Sequence, residues 1–211
     1  MSNVLIIGGT GYTGAHIAAE AATRGHEVTS YSRSAPASPA AGVTYAHGPA
    51  EDAAGLIAGR DAVVATLAPR GDLTDRLAGL YRDFAAAALD TGARFVVIGG
   101  FSSLRPAPGA PRFADGDVPE ELRSEVEVME GFRQWLTTAA PEGLDWTFVS
   151  PAGGYGAWAA GERTGTYRLG GEVALFDAEG RSEISGADFA LAVVDEIERH
   201  RHSRAHISVA Y

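Results

Sequence analysis

Three glycines, one arginine and a shortage of lysine set the chemistry open to this 211-residue chain. Gly8, Gly11 and Gly14 close a continuous apolar run at residues 4–7 and precede a helical pattern carried by Ile17, Ala18, Ala21 and Ala22. Strand, tight turn and helix in that order make a cradle for the pyrophosphate of a dinucleotide. Gly8 turns the chain out of the strand, Gly11 removes the side chain that would block the phosphates, and Gly14 lets helix and strand pack closely. The anion then meets free N–H groups and the positive end of the helix dipole. Thr10, Tyr12 and Thr13 lie among these glycines and share the cofactor-binding assignment.

Tyr31-Ser32-Arg33-Ser34 follows roughly 20 residues later, where an acid usually bonds the ribose 2′-hydroxyl of NAD. No carboxylate stands there. Arg33, helped by Ser32 and Ser34, is suited to the 2′-phosphate of NADP through a charge-assisted fork, with a solvated surface arginine as the plainer alternative. All 17 basic residues are arginine, so lysine general acids and Schiff bases are excluded. None of the seven tyrosines has a lysine four residues on, the arrangement that lowers a tyrosine pKa for proton exchange with an alcohol or ketone.

These groups need a scaffold, and the hydrophobic pattern supplies one. Strands are predicted at residues 27–31, 43–46, 61–65, 94–98, 144–150 and 207–210, besides the first at 4–7. Helices are predicted at 53–58, with Asp52 as its cap, at 73–91 and 120–138, and from the segment 184–190 to about 199. Leu77, Leu80, Tyr81, Phe84 and Ala88 space the second of these as core, and Leu122, Val126, Met129, Phe132 and Leu136 the third. Alternation of strand and helix without internal repeats predicts one α/β domain over residues 1–211, a doubly wound, mostly parallel sheet with helices on both faces.

In such sheets ligands bind at the carboxyl ends of the strands. Thr66, Leu67 and Ala68 therefore flank the cofactor, as do Gly99, Gly100 and Pro151. Phe101, Phe113, Tyr155 and Trp158 fall in the acceptor-side loops at about 99–119 and 151–171 and are candidates for stacking on a planar substrate. Ser102 or Ser103 is placed to hydrogen-bond the nicotinamide carboxamide or the acceptor, or else caps the loop. Four prolines and two glycines at 105–119 predict a mobile lid. His200, His202 and His206 lack a completing carboxylate or cysteine and read as structural or solvated side chains, with no metal site.

A formal charge of -10 repels the nucleic-acid backbone, so no nucleic-acid partner is expected. There is no cysteine, no apolar run of membrane-spanning length and no basic leader, which predicts a cytoplasmic protein acting on a small molecule.

Several segments together resemble a known family. Gly8-Gly9-Thr10-Gly11-Tyr12-Thr13-Gly14, Val97-Ile98-Gly99-Gly100-Phe101-Ser102, Leu144-Asp145-Trp146-Thr147-Phe148-Val149-Ser150-Pro151, Gly161-Glu162-Arg163-Thr164-Gly165 and Ile184-Ser185-Gly186-Ala187-Asp188-Phe189-Ala190 are similar to the atypical short-chain dehydrogenases. Within these the nearest likeness is to the NAD(P)H-flavin reductases, also described as NAD(P)H-binding or NmrA-like proteins and akin to biliverdin reductase B. The resemblance covers nearly the whole chain and implies a Rossmann-type NADP(H) site with reduction of a flavin or similar acceptor. Phe101-Ser102 stands where relatives often carry Ala-Gly, which implies a bulkier nicotinamide floor. A non-catalytic NADP(H) sensor acting through a protein partner would carry the same cofactor motifs. Turnover separates the two.

Overall fold

A computed structural model describes all residues, Met1–Tyr211. The chain builds β1 (Asn3–Ile7), α1 (Tyr12–Thr23), β2 (Glu27–Ser32), β3 (Val43–His47), β4 (Ala62–Ala65), α2 (Leu77–Thr91), β5 (Arg94–Ile98), α3 (Glu120–Thr138), β6 (Trp146–Pro151), β7 (Arg168–Gly170), α4 (Gly186–Arg199) and β8 (Ala205–Ala210). The strands form one sheet in the order β3-β2-β1-β4-β5-β6-β8-β7. Every pairing is parallel except the last, where Leu169 lies antiparallel to Val209. Chain direction along the sheet reverses at β1, as expected for a doubly wound fold.

Period-two alternation explains the layers. Val4 and Ile6 of β1 face one core, with Ile17 and Ala21 of α1 and Phe189 and Val193 of α4. Leu5 and Ile7 face the other, with Tyr81 and Phe84 of α2 and Met129 and Phe132 of α3. Strands buried on both faces read as unbroken apolar runs, which is why the central ones were legible.

Four expectations are corrected. The helix predicted at 53–58 is a 3-10 segment, Ala50–Leu56, capped by Pro49, and Asp52 lies inside it instead of capping it. The helix predicted from residue 73 starts at Leu77, after a separate 3-10 turn at Gly71–Leu73. Leu122 is 44% exposed and no part of the core. Segment 151–171 contains β7, whose three residues are too few to show a period.

The predicted lid is anchored. Arg112, 6% exposed, donates to the Ser103 carbonyl at 2.5 Å and pairs with Glu172 and Glu130. Arg105 and residues 172–174 exchange backbone hydrogen bonds, Arg105 N–H to Glu172 O at 2.8 Å and Ala174 N–H to Arg105 O at 2.9 Å. A buried guanidinium with three partners holds the proline-rich segment more firmly than its composition implies.

The same cations act on His206 of β8. Its Nε2 shares a 2.9 Å hydrogen bond with Ser150 Oγ, and burial, then the fields of Arg112 and Arg133, push its pKa down to about 3. The folded protein keeps this imidazole neutral, while the unfolded chain protonates it near 6.5. The unfolded state thus binds more protons between those values, and stability falls as the pH drops through that window by up to about 1.4 kcal/mol per unit. Burial lowers the His16 pKa in the same direction. Urea unfolding of His206→Gln is expected to lose much of the slope that wild type shows between pH 6.5 and the carboxylate range. An unchanged slope would show that His206 is solvated. No helix is long and apolar enough to cross a membrane.

Candidate functional site

The glycine turn joins the end of β1 to α1. Gly8 has φ +90°, and a Cβ there would lie 2.6 Å from Thr66 Oγ1. At Gly14 a Cβ would lie 2.4 Å from the Gly8 carbonyl oxygen, the close helix-to-strand approach expected of the third glycine. Gly9, which the sequence reading left without a role, sits against Ser30, whose Oγ would be 2.3 Å from a Cβ. Gly11 differs. Its Cβ would meet only Gly8 O, at 3.3 Å, in backbone that any residue adopts (φ -72°, ψ 168°). The space beside it is open, and the first-turn N–H groups of Tyr12, Thr13 and Gly14 donate to no backbone carbonyl. No acidic side chain sits in that first turn, so the positive helix end is not already neutralised.

Around this seat, Thr66 Oγ1 donates to Ile7 O at 3.0 Å, and the Tyr81 hydroxyl donates to Leu67 O at 2.8 Å. These bonds hold residues 66–68 beside the glycine turn. Ser32 is buried and accepts from the Thr10 N–H at 3.1 Å, so it ties β2 to the turn instead of assisting Arg33. Arg33 stands at the β2 exit, 64% exposed in its side chain, paired with Asp72 at 2.8 Å.

On the acceptor side the predicted groups divide. Phe101 and Phe113 stack with centroids 4.7 Å apart and planes 25° apart, and Phe176 meets Phe101 edge-on at 6.4 Å. Gly153 lies under this wall, where a Cβ would be 3.5 Å from the Phe101 ring. Gly99 rests on Phe148, and Gly100 leads into the 3-10 turn Phe101–Ser103. Ser102 is half-buried. Ser103 is 1% exposed and its Oγ has no partner, which removes it as a group able to touch a substrate. Pro151 is the buried last residue of β6.

Tyr155 is also reassigned. Its ring packs on Phe189 and Tyr12, and its hydroxyl donates to Thr13 Oγ1 at 2.8 Å. It lies behind the glycine turn, between α1 and α4, and not on a stacking platform. Trp158 is 78% exposed and touches Gly156. Phe176 was missed because nothing in the sequence near it marks a site, and only the fold brings it to Phe101.

Two motifs far apart in sequence meet at Asp188. This carboxylate is fully buried near the start of α4 and accepts from the Thr164 N–H at 2.7 Å, the Gly165 N–H at 2.9 Å and the Tyr211 hydroxyl at 2.6 Å. Burial would raise its pKa, but these hydrogen bonds outweigh it and hold the pKa below the ordinary value. Loop 161–165 is thereby bound across α1, where Arg163 pairs with Glu20 at 2.6 Å and Tyr12 donates to Ala160 O at 3.4 Å. The three C-terminal histidines diverge, His200 to Asp145, His202 to Glu196 and His206 to Ser150, and no three metal-binding side chains converge anywhere in the chain.

A parallel sheet wound in both directions from β1, with an open glycine turn at that strand's carboxyl end, defines a dinucleotide-binding α/β protein of Rossmann type. A family profile described as NAD(P)H-binding matches residues 8–200, and the chain belongs to that family. The uncharacterized protein YwnB of Bacillus subtilis is 33% identical, with 97% of this chain and 96% of YwnB covered. A structure from Streptococcus pneumoniae, described as a candidate NADH-flavin reductase, is 32% identical with a TM-score of 0.87, covering 100% of this chain and 99% of its own. Another, from Burkholderia pseudomallei and described as a candidate exported protein, is 34% identical with a TM-score of 0.85, both chains covered in full.

Proposed function

We propose that this protein is an NADPH-dependent reductase whose acceptor is a flat conjugated ring system of the flavin or quinone class. The observation that carries the reading is the state of four tyrosines, two in the core and two beside the glycine turn. Tyr155 donates to Thr13, Tyr31 to Pro49 O at 2.9 Å, Tyr81 to Leu67 O and Tyr12 to Ala160 O. Burial raises the pKa of all four, making each a poorer acid at neutral pH, and no lysine exists to reverse the shift. Hydride delivered to a ketone leaves an alkoxide that needs an internal acid. A flavin or quinone instead leaves a delocalised anion that water protonates.

In this reading Gly11, Tyr12 and Thr13 seat the pyrophosphate, Thr66, Leu67 and Ala68 border the adenosine half, and Arg33 takes the 2′-phosphate. Gly100, where a Cβ would meet only Ser102 Oγ at 3.6 Å, leaves bare backbone for the nicotinamide, which when bound would supply the hydride, and Gly99 beside it makes room for the Phe148 ring. Phe101, Phe113 and Phe176 form the wall against which the acceptor ring lies, so the protein contributes orientation. The Streptococcus pneumoniae neighbour supports the acceptor class by its name. That name specifies NADH, so the NADPH preference rests on Arg33 alone.

The test is NADPH oxidation in the presence of free flavins, quinones and simple ketones. Turnover is expected with the first two and not with ketones; turnover with ketones alone, or with nothing, would overturn the reading. The seven single Tyr→Phe variants should each keep most of the maximal rate. Loss of rate by orders of magnitude in one of them, with cofactor affinity intact, would reveal a dedicated acid. Arg33→Glu should abolish the preference for NADPH over NADH.

A further inference from the structure

In the free protein a side-chain bridge already crosses the crevice in which a dinucleotide would lie. Arg33 leaves the end of β2, Asp72 sits on the 3-10 turn that follows β4, and β1 with its glycine turn lies between those two strands. Neighbouring strands are about 4.8 Å apart, so the two loops stand roughly 10 Å apart and their side chains meet across the end of β1. The contact, Arg33 Nη1 to Asp72 Oδ1, is 2.8 Å, and the side chains are 64% and 57% exposed. It is unlike the short-range surface pairs Arg123–Glu120 and Arg181–Asp177, which stay within one turn of chain.

We propose that Asp72 is a specificity-determining residue that sets the balance between NADPH and NADH by holding, in the free protein, the guanidinium a 2′-phosphate needs. The inference rests on the reading of Arg33 as the phosphate ligand and adds its competitor. Two other arginines on this side also stand in exposed pairs, Arg70 with Glu125 at 2.8 and 3.2 Å and Arg76 with Glu51. Arg33 is the one that directly follows β2, and so the group a phosphate at the β2 exit would recruit. An exposed ion pair opens readily, and a phosphate dianion is a stronger partner for a guanidinium than one carboxylate. NADPH engages Arg33 either by displacing Asp72 or through the donors that the single Nη1 contact leaves free, and in both cases its 2′-phosphate lies beside the Asp72 charge. NADH, with a ribose hydroxyl there, leaves the pair closed.

Calorimetric titration of both cofactors into wild type and Asp72→Asn tests this at low and high salt. At low salt the variant is expected to bind NADPH about three- to tenfold more tightly, NADH affinity should not change, and the NADPH gain should shrink as salt screens the exposed charges. Unchanged or weaker NADPH binding overturns the proposal. Equal tightening of both cofactors also overturns it, since Asp72 would then be a general barrier to entry. Weaker NADH binding does so too, because Asp72 would then be a ribose ligand. Arg33→Glu separates the two layers: if it loses the NADPH preference while Asp72→Asn changes nothing, Arg33 stands and Asp72 falls. If wild type binds neither cofactor, both fall.

Discussion

Gly11→Val is expected to weaken NADPH binding at least about a hundredfold, roughly 2.7 kcal/mol, while the protein stays folded. The asymmetry comes from what each glycine faces. A side chain at Gly11 meets only the Gly8 carbonyl at 3.3 Å and otherwise projects into open space, in a backbone conformation that valine tolerates. The loss of a favourable cap residue costs about 1 kcal/mol of stability at most. The branched side chain would fill the volume in front of the Tyr12 and Thr13 N–H groups, where the pyrophosphate must approach the backbone. Gly14→Ala is the matched control. Its Cβ would press on Gly8 O at 2.4 Å and Gly9 Cα at 2.7 Å, backbone atoms that cannot swing aside, so unfolding stability should fall by about 1–3 kcal/mol. Calorimetry and urea titration on the two variants separate ligand clash from fold strain. Normal NADPH affinity in Gly11→Val would sink the phosphate seat.

Glu196→Leu is expected to lower unfolding stability by about 3–5 kcal/mol, the effect of leaving a buried charge without its partner. Glu196 and Arg94 are 2% and 4% exposed, with Oε1 2.5 Å from Nη2. Arg94 also donates to Glu196 O at 2.8 Å, Thr147 Oγ1 at 2.8 Å and His202 O at 3.0 Å, while its Nε is buried without a partner. Glu196 in turn accepts the His202 N–H at 2.9 Å and faces its Nδ1 at 2.7 Å. Burial alone would raise the Glu196 pKa, but the hydrogen bonds from His202 and Arg94 outweigh it and lower the value. The stabilisation is therefore present at neutral pH and is lost as the pH falls through the depressed value. Replacing both charges, Arg94→Met with Glu196→Leu, should recover much of the loss, because neither orphaned ion remains. Urea unfolding at neutral pH checks both variants. A single-variant loss below about 1 kcal/mol would mean that water reaches the pair.

Neither buried ion was visible in the sequence. Arg94 reads as the polar first residue of a strand and Glu196 as one of several charges late in a helix. Their pairing across 102 positions needs α4 laid over the foot of β5. The glycine turn, by contrast, was legible because its constraint is local: strand, turn and helix lie within about fifteen residues, and each glycine answers a steric demand made by near neighbours. The central strands were legible for a similar reason, since burial on both faces leaves a continuous apolar run that needs no knowledge of the partner strand. The exclusion of a lysine-assisted tyrosine needed no coordinates at all.

What folding alone decided was which of the loop side chains stay accessible and which are drawn inward. Ser102 and Ser103 are adjacent, yet one is half-buried and the other 1% exposed, a difference set by the 3-10 turn that contains both. Tyr155 reads as an acceptor aromatic by its loop, but contacts with Phe189 and Thr13 draw it to the glycine turn. Phe176 joins Phe101 from a segment with no site-like pattern, and Arg112 turns a proline-rich stretch into an anchored wall. Periodicity and local sterics determine which backbone elements form and where their ends lie. The direction of a side chain in a connecting loop depends on long-range partners, and those exist only once the sheet has brought β5, β6 and β8 together.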